Sequence, residues 1–286
     1  MDLASALERL ANYRTRNCRA SQDIFENGVV VFRNNALQKL GDDTWSFLEQ
    51  LTLASIDVGR MDVAEQCLQQ LSAQFPGSPR VQCLEGIWKE ATESSETVLG
   101  YYTKLLEEDP ANAAAWKRQI SVLRRMGRIE RAVEELSQFL DTFYADVEGW
   151  LELADIYASC NHFISPLRYT YALQSLSHVL LLAPQNPFYV LQAAETAYTA
   201  GDICLAIKMF LMVVDMTDDV GDAPVKDSIP TGITVRAWYG VELVGPLYLK
   251  LVQIVVDIPP FLETVSKTPA KRTQSAVIFS LTYSSA

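Results

Sequence analysis

Histidine is nearly absent from this chain: His162 and His178 are the only two in 286 residues. Neither belongs to an H-E-x-x-H helix, and the sequence has no G-x-S-x-G, no G-x-G-x-x-G and no Walker-type glycine loop. These absences argue against hydrolase, dinucleotide and metalloprotease chemistry. No catalytic residue is assigned and no cofactor is expected; the chain reads as a non-enzyme. Cysteine is sparse and dispersed, at Cys18, Cys67, Cys83, Cys160 and Cys204, with no C-x-x-C. A zinc cluster or a disulfide framework needs tighter grouping. The thiols therefore read as reduced and mostly buried. A metal site built from Cys160, His162 and His178 has no recognised spacing, so no metal is expected and the histidines read as surface or satisfied side chains.

Positive charge is also in deficit. Lys plus Arg is 24 against 35 for Asp plus Glu, a net charge of −11. Nucleic-acid binders usually show the opposite balance, and no nucleic-acid partner is expected. Long apolar runs are missing: the strongest, Val241 to Leu262, is broken by Glu242, Pro246, Lys250, Asp257 and Pro259-Pro260. A spanning helix wants about 20 nearly uninterrupted apolar residues, so no direct membrane span is expected. The opening MDLASALERLANYR carries acids and arginines where a secretory signal needs an apolar core. No N-x-[ST] sequon occurs either.

What is present is a repeat. Turn signals recur at Phe75-Pro76-Gly77, Asp109-Pro110 and Ala183-Pro184, with Pro76 and Pro110 separated by 34 residues. Ala64 and Ala132 lie two such steps apart with Val98 between, and Gly59 and Gly127 keep the same separation. This is the tetratricopeptide period. Units read at 45–78, 79–112, 113–146 and from 147, where about six extra residues fall near Ser165-Pro166 before the pattern resumes. A following unit carries Ala194, Gly201, Ala206 and Phe210. Small residues at positions 8 and 20 let the two helices of a unit cross closely. Large ones, such as Trp116, Trp150, Tyr157 and Phe210, fill the space between. One unit cannot bury its own apolar face, so stability comes from stacking.

The expected fold class is all-α: a right-handed tetratricopeptide-repeat (TPR) solenoid with N-terminal capping helices. Residues 1–44 are read as those caps, with Gly41-Asp42-Asp43-Thr44 supplying N-cap chemistry for the first repeat. Residues 45–220 are the solenoid, and 221–243 a loop, beginning near Asp215, with one further helix from Thr234. Residues 244–286 diverge from the repeat and receive no structure.

In such a solenoid the groove is lined by the first helix of each unit. Those positions give Lys117, Arg118, Arg124 and Arg125 in one repeat and Glu148, Glu152 and Asp155 in the next. A basic band beside an acidic band would orient a bound peptide more than raise its affinity; the alternative is a self-neutralising solvated face. Reversing Lys117 and Arg118 is expected to weaken partner assembly without unfolding the chain. Flanking groove positions Leu53, Ile56, Leu84, Ile87, Phe188, Leu191 and Tyr198 are apolar. A soluble TPR chaperone adaptor binding a peptide in this groove is the competing reading. Its carboxylate clamp is matched at Lys117 but broken at Ser121 and Glu152.

Segments between repeats carry a family resemblance. They are Lys39-Leu40-Gly41-Asp42-Asp43 with Trp45, Gln74-Phe75-Pro76-Gly77-Ser78 with Arg80-Val81, Glu108-Asp109-Pro110 with Asn112 and Lys117-Arg118, and Trp150 with Glu152-Leu153-Ala154. Tyr189, Ala194-Glu195 and Tyr198-Thr199 continue the series. In this order they resemble the second subunit of the endoplasmic reticulum (ER) membrane protein complex, EMC, over roughly residues 10–243. The resemblance implies a non-catalytic scaffold bound peripherally at the cytoplasmic face of the ER. Its partners would be other EMC subunits, especially cytosolic segments of membrane-embedded ones. The assembled complex would insert transmembrane segments, including tail-anchored proteins.

Overall fold

A computed structural model describes residues 3–16, 18–34, 36–159, 167–218 and 232–257. All regular structure among them is helical. The fold class is an all-α TPR solenoid with N-terminal capping helices. The chain divides into two compact units, residues 1–156 and 157–286.

In the first unit, α1 (Leu3–Thr15) and α2 (Ser21–Arg33) precede a short 3₁₀ segment, Ala36–Asp43. Three antiparallel pairs follow: α3 (Thr44–Asp57) with α4 (Met61–Gln74), α5 (Pro79–Thr92) with α6 (Ser95–Glu108), and α7 (Ala113–Arg125) with α8 (Ile129–Thr142). Each pair occupies one 34-residue period, and consecutive helices from α1 to α8 pack on one another. Helix α9 (Val147–Ser159) closes the unit, its last residues crossing the division. The caps share a core with the first repeat, where Ala6, Leu10, Ile24 and Val31 meet Phe47, Leu48 and Leu51. Burial of such side chains contributes about 1.5–3 kcal/mol each.

Local chemistry sets the helix ends. Asn112 accepts from the Ala115 amide at 3.1 Å, and Ser94 accepts from Thr97. Gly59 and Gly127, at φ 79° and 73°, turn the chain between paired helices in a left-handed conformation that disfavours side chains. Within the Gly41–Thr44 segment expected to cap the first repeat, Asp43 takes the N-cap position but makes no side-chain cap bond, and its carboxylate pairs with Arg14 at 3.2 Å. The Thr44 hydroxyl instead donates back to the Gly41 carbonyl at 2.7 Å. The small positions keep their role: Ala64, Val98 and Ala132 are fully buried.

In the second unit, α10 (Leu167–Leu182), α11 (Pro187–Ala200), α12 (Ile203–Asp218) and α13 (Ile233–Asp257) pack in sequence. Their core includes Leu191, Ala194, Ala206, Phe210, Ala237 and Val244. The loop expected from Asp215 is helical as far as Asp218, where α12 ends, and its residues 219–231 lie outside the described residues. Helix α13 does not end at Leu243 either. It continues through Pro246, with Val244 fully buried against the unit's core. Packing of the first turns thus carries the helix past a residue that removes one backbone donor. The Ser165-Pro166 extension lies outside the described residues.

The thiols split into two classes. Cys18 and Cys204 are exposed, whereas Cys67 and Cys83 are buried. The expectation of mostly buried thiols fails at the first two, which lie outside the apolar stripes. Burial pushes the Cys67 thiol up to about 12, more than offsetting its hydrogen bond with Thr52, and raises Cys83 as well. Iodoacetamide at pH 8 should therefore alkylate Cys18 and Cys204 at least about tenfold faster than Cys67 and Cys83, as read by peptide mass spectrometry. Equal labelling of all four in the folded chain would contradict this packing.

Candidate protein-interaction site

Helix α7 buries Ala115, Gln119, Ile120, Val122 and Leu123, which leaves its cations on the opposite stripe. Lys117 reaches forward by about one repeat. Its Nζ lies 2.7 Å from an Asp146 oxygen and 3.1 Å from Glu148. Arg124 does the same, donating to Glu152 at 2.9 Å and Asp155 at 2.7 Å. Partial burial opposes both charges, but the hydrogen bonds they donate to these carboxylates outweigh it and hold the two cations' pKa values above the ordinary range. Arg118 and Arg125 reach backward, to Glu90 at 3.8 and 3.6 Å.

All seven residues expected in the groove are thus brought to neighbouring first helices, and all are held in intramolecular pairs. Half-exposed pairs of this kind contribute about 0.2–1 kcal/mol each. They tie successive repeats together and leave little net charge on that stretch. The consequence for the expected charge reversal is direct. Glutamate at 117 would face Asp146 and Glu148, and at 118 would face Glu90, so reversal would also strain the fold.

Glu90 was not visible as a site residue. Its side chain is only 10% exposed, and it accepts a 2.8 Å hydrogen bond from the Tyr102 hydroxyl. Burial first, and then this carboxylate, hold the Tyr102 phenol far above its usual range. Among the apolar groove positions, Leu53 is exposed, but Leu84 and Leu191 belong to the cores. Leu84 falls three residues after Val81, and Leu191 three before Ala194, on the buried stripes.

Where the α7 stretch meets the caps, a cleft of about 460 Å³ opens within the first unit. Its walls carry Tyr13, Arg14, Arg19, Glu49, Arg80 and Arg118. Leu53 and Ala54 supply apolar surface there. Arg19 donates to Asp57 at 3.0 and 2.7 Å, and the Ser21 hydroxyl donates to the same carboxylate at 2.5 Å. Arg80 lies against Glu49 at 2.5 Å. Yet the Arg19 and Arg80 side chains are 82% and 75% exposed, so both guanidiniums keep faces open to a partner. Sequence reading by repeat position missed them, since Arg14 and Arg19 lie in the caps and Arg80 at a helix start.

Glu152, which breaks the carboxylate clamp in sequence, is engaged by Arg124. Among the described residues, no three His, Cys, Asp or Glu side chains converge to hold a metal ion. Cys160 and His162 lie outside the described residues. No helix among those described is long and apolar enough to cross a membrane.

Residues 77–210, from the turn before α5 through the first half of α12, match the family model described as the EMC2 TPR-like repeat domain. Over this stretch, a little under half of the chain, the sequence is similar to the EMC2 TPR-like family. Subunit 2-A of the ER membrane protein complex from Xenopus laevis is 40% identical over 196 residues, 68% of this chain and 64% of its own length. The TPR repeat protein oca3 of Schizosaccharomyces pombe is 36% identical over 56% of each chain. EMC subunit 2 of Dictyostelium discoideum is 30% identical over 55% of this chain and 47% of its own. The chain therefore spans a little under two thirds of the frog relative's length. The EMC2-type match covers the α7 and α9 pairs and the Arg80 and Arg118 walls of the cleft, while the Arg14 and Arg19 wall lies before it.

Proposed function

We propose that this chain is a non-catalytic scaffold subunit of the ER membrane protein complex, held at the cytoplasmic face of the ER through its partners. In this reading it supports the insertion of transmembrane segments, tail-anchored proteins included, and the insertion chemistry resides in other subunits. The observation that carries the reading is the EMC2-type repeat array, joined to an open cleft whose guanidiniums remain exposed. The charged face of Lys117, Arg118, Arg124, Arg125, Glu148, Glu152 and Asp155 sets the spacing of the repeats and frames one side of the docking surface. Recognition itself falls to the cleft, where a partner's cytosolic segment with acidic and apolar side chains meets Arg19, Arg80 and Leu53. Arginines that a partner buries at the centre of an interface often dominate its energetics.

A double variant, Arg19→Ser with Arg80→Ser, separates recognition from folding. Both side chains are largely solvated, so the thermal midpoint should move by no more than about 2 °C. Recovery of membrane-embedded EMC subunits with the tagged chain should fall severalfold. Undiminished recovery would remove the cleft from the docking surface.

A further inference from the structure

A second cavity, of about 240 Å³, lies where α6, α7 and α8 meet, away from the cleft. Thr103, Leu106, Glu107, Trp116, Gln119 and Glu135 line it. Its donors are committed internally. The Trp116 indole donates to Glu135 at 3.3 Å, and the Gln119 amide donates to the Thr103 hydroxyl at 3.0 Å. That hydroxyl in turn donates to the Leu99 carbonyl at 2.9 Å. Because the hydroxyl proton is spent on Leu99, the amide nitrogen must face Thr103, which fixes the orientation of the Gln119 side chain.

Apart from the Glu135 oxygen that takes the Trp116 indole, the acceptors are not committed. Gln119 is 3% exposed, and its Oε1 is buried with no hydrogen-bond partner. Such an orphan costs about 1–3 kcal/mol. Glu107 and Glu135 have no ion-pair partner among the described residues, unlike the acids on α9. Two carboxylate residues, a tryptophan and Gln119, whose Oε1 is an orphan, therefore line a cavity sized for one side chain.

We propose that this cavity takes a single arginine side chain of a protein partner. A guanidinium has five donors and no acceptor, in a planar fork that also stacks on aromatic faces. It answers a lining that offers acceptors and an aromatic ring. A neutral isostere brings an acceptor that finds no free donor here, and an anion would meet the two carboxylates. The inference does not depend on which complex the chain joins.

The test uses the full chain and a defined probe, N-acetyl-arginine methylamide, with the citrulline analogue as neutral control. The ¹⁵N indole signals of the five tryptophans are followed by NMR, with Trp116 assigned through Trp116→Phe. The arginine probe should shift the Trp116 indole saturably, with a dissociation constant on the order of millimolar, and citrulline should not. Glu107→Gln alters an exposed residue that makes no ion pair, and should weaken the response by roughly tenfold. No Trp116 shift up to roughly 50 mM, an equal shift with citrulline, or an unaltered response in Glu107→Gln would overturn the proposal.

Discussion

Tyr102→Ala should lower the unfolding free energy by about 3–5 kcal/mol. The ring is fully buried and lies directly over Gly86, where an added Cβ would sit 2.5 Å from the Tyr102 oxygen. It also packs edge-on against Tyr101 at 5.7 Å. Truncation therefore opens a cavity at the crossing of α5 and α6 and strips Glu90 of its phenolic donor. Tyr102→Phe keeps the volume and removes only that hydrogen bond, so it should cost less, about 1–2 kcal/mol. Urea midpoints at constant slope measure both. A Tyr102→Ala loss below about 1 kcal/mol would mean that the repeat crossing is not built around this ring.

The second large effect lies at the other end of the chain. Gly240→Ala should cost about 1–3 kcal/mol. A Cβ there would fall 2.4 to 2.6 Å from three Phe210 ring carbons, and Phe210 is itself a core residue. Gly100→Ala, on the exposed face of α6, is the control, because beyond its chain neighbours and its own helix backbone no atom lies within 4 Å of the Cβ it would add. In a helix interior that change should be neutral or stabilise by up to about 1 kcal/mol. A loss at Gly240 without a loss at Gly100 would establish that α13 is packed through its first turns. Equal outcomes would separate α13 from the unit's core.

The repeat was legible in the sequence because its physical cause is local and periodic. Ala64, Val98 and Ala132 mark close helix crossings, and Gly59 and Gly127 mark turns that need a positive φ. The charge pattern on α7 and α9 was legible as composition, but its use was not. Lys117 finds Glu148 31 residues on, and Arg124 finds Glu152 and Asp155 at 28 and 31. Those separations are close to one repeat, a signal that pairing across units could have used. Glu90 carried no signal, since its burial depends on Tyr102 from the second helix of its own repeat. Leu84 and Leu191 were misplaced because repeat position alone does not say how far each helix is rotated. The Asp43 side chain leaves the cap unmade in favour of Arg14, a partner in a different helix that the local sequence does not show. The continuation of α13 was hidden by a change of composition at Val244, although Val244 itself packs in the core.

The central proposal is that this chain serves as an EMC2-type scaffold of a membrane-embedded complex. The measurement that tests it most directly is affinity purification of the tagged full chain from mildly solubilised ER membranes, with quantitative mass spectrometry of what accompanies it. The account predicts multispanning EMC subunits in a stable proportion to the chain. Recovery of soluble chaperones alone, or of no partner at all, would contradict it.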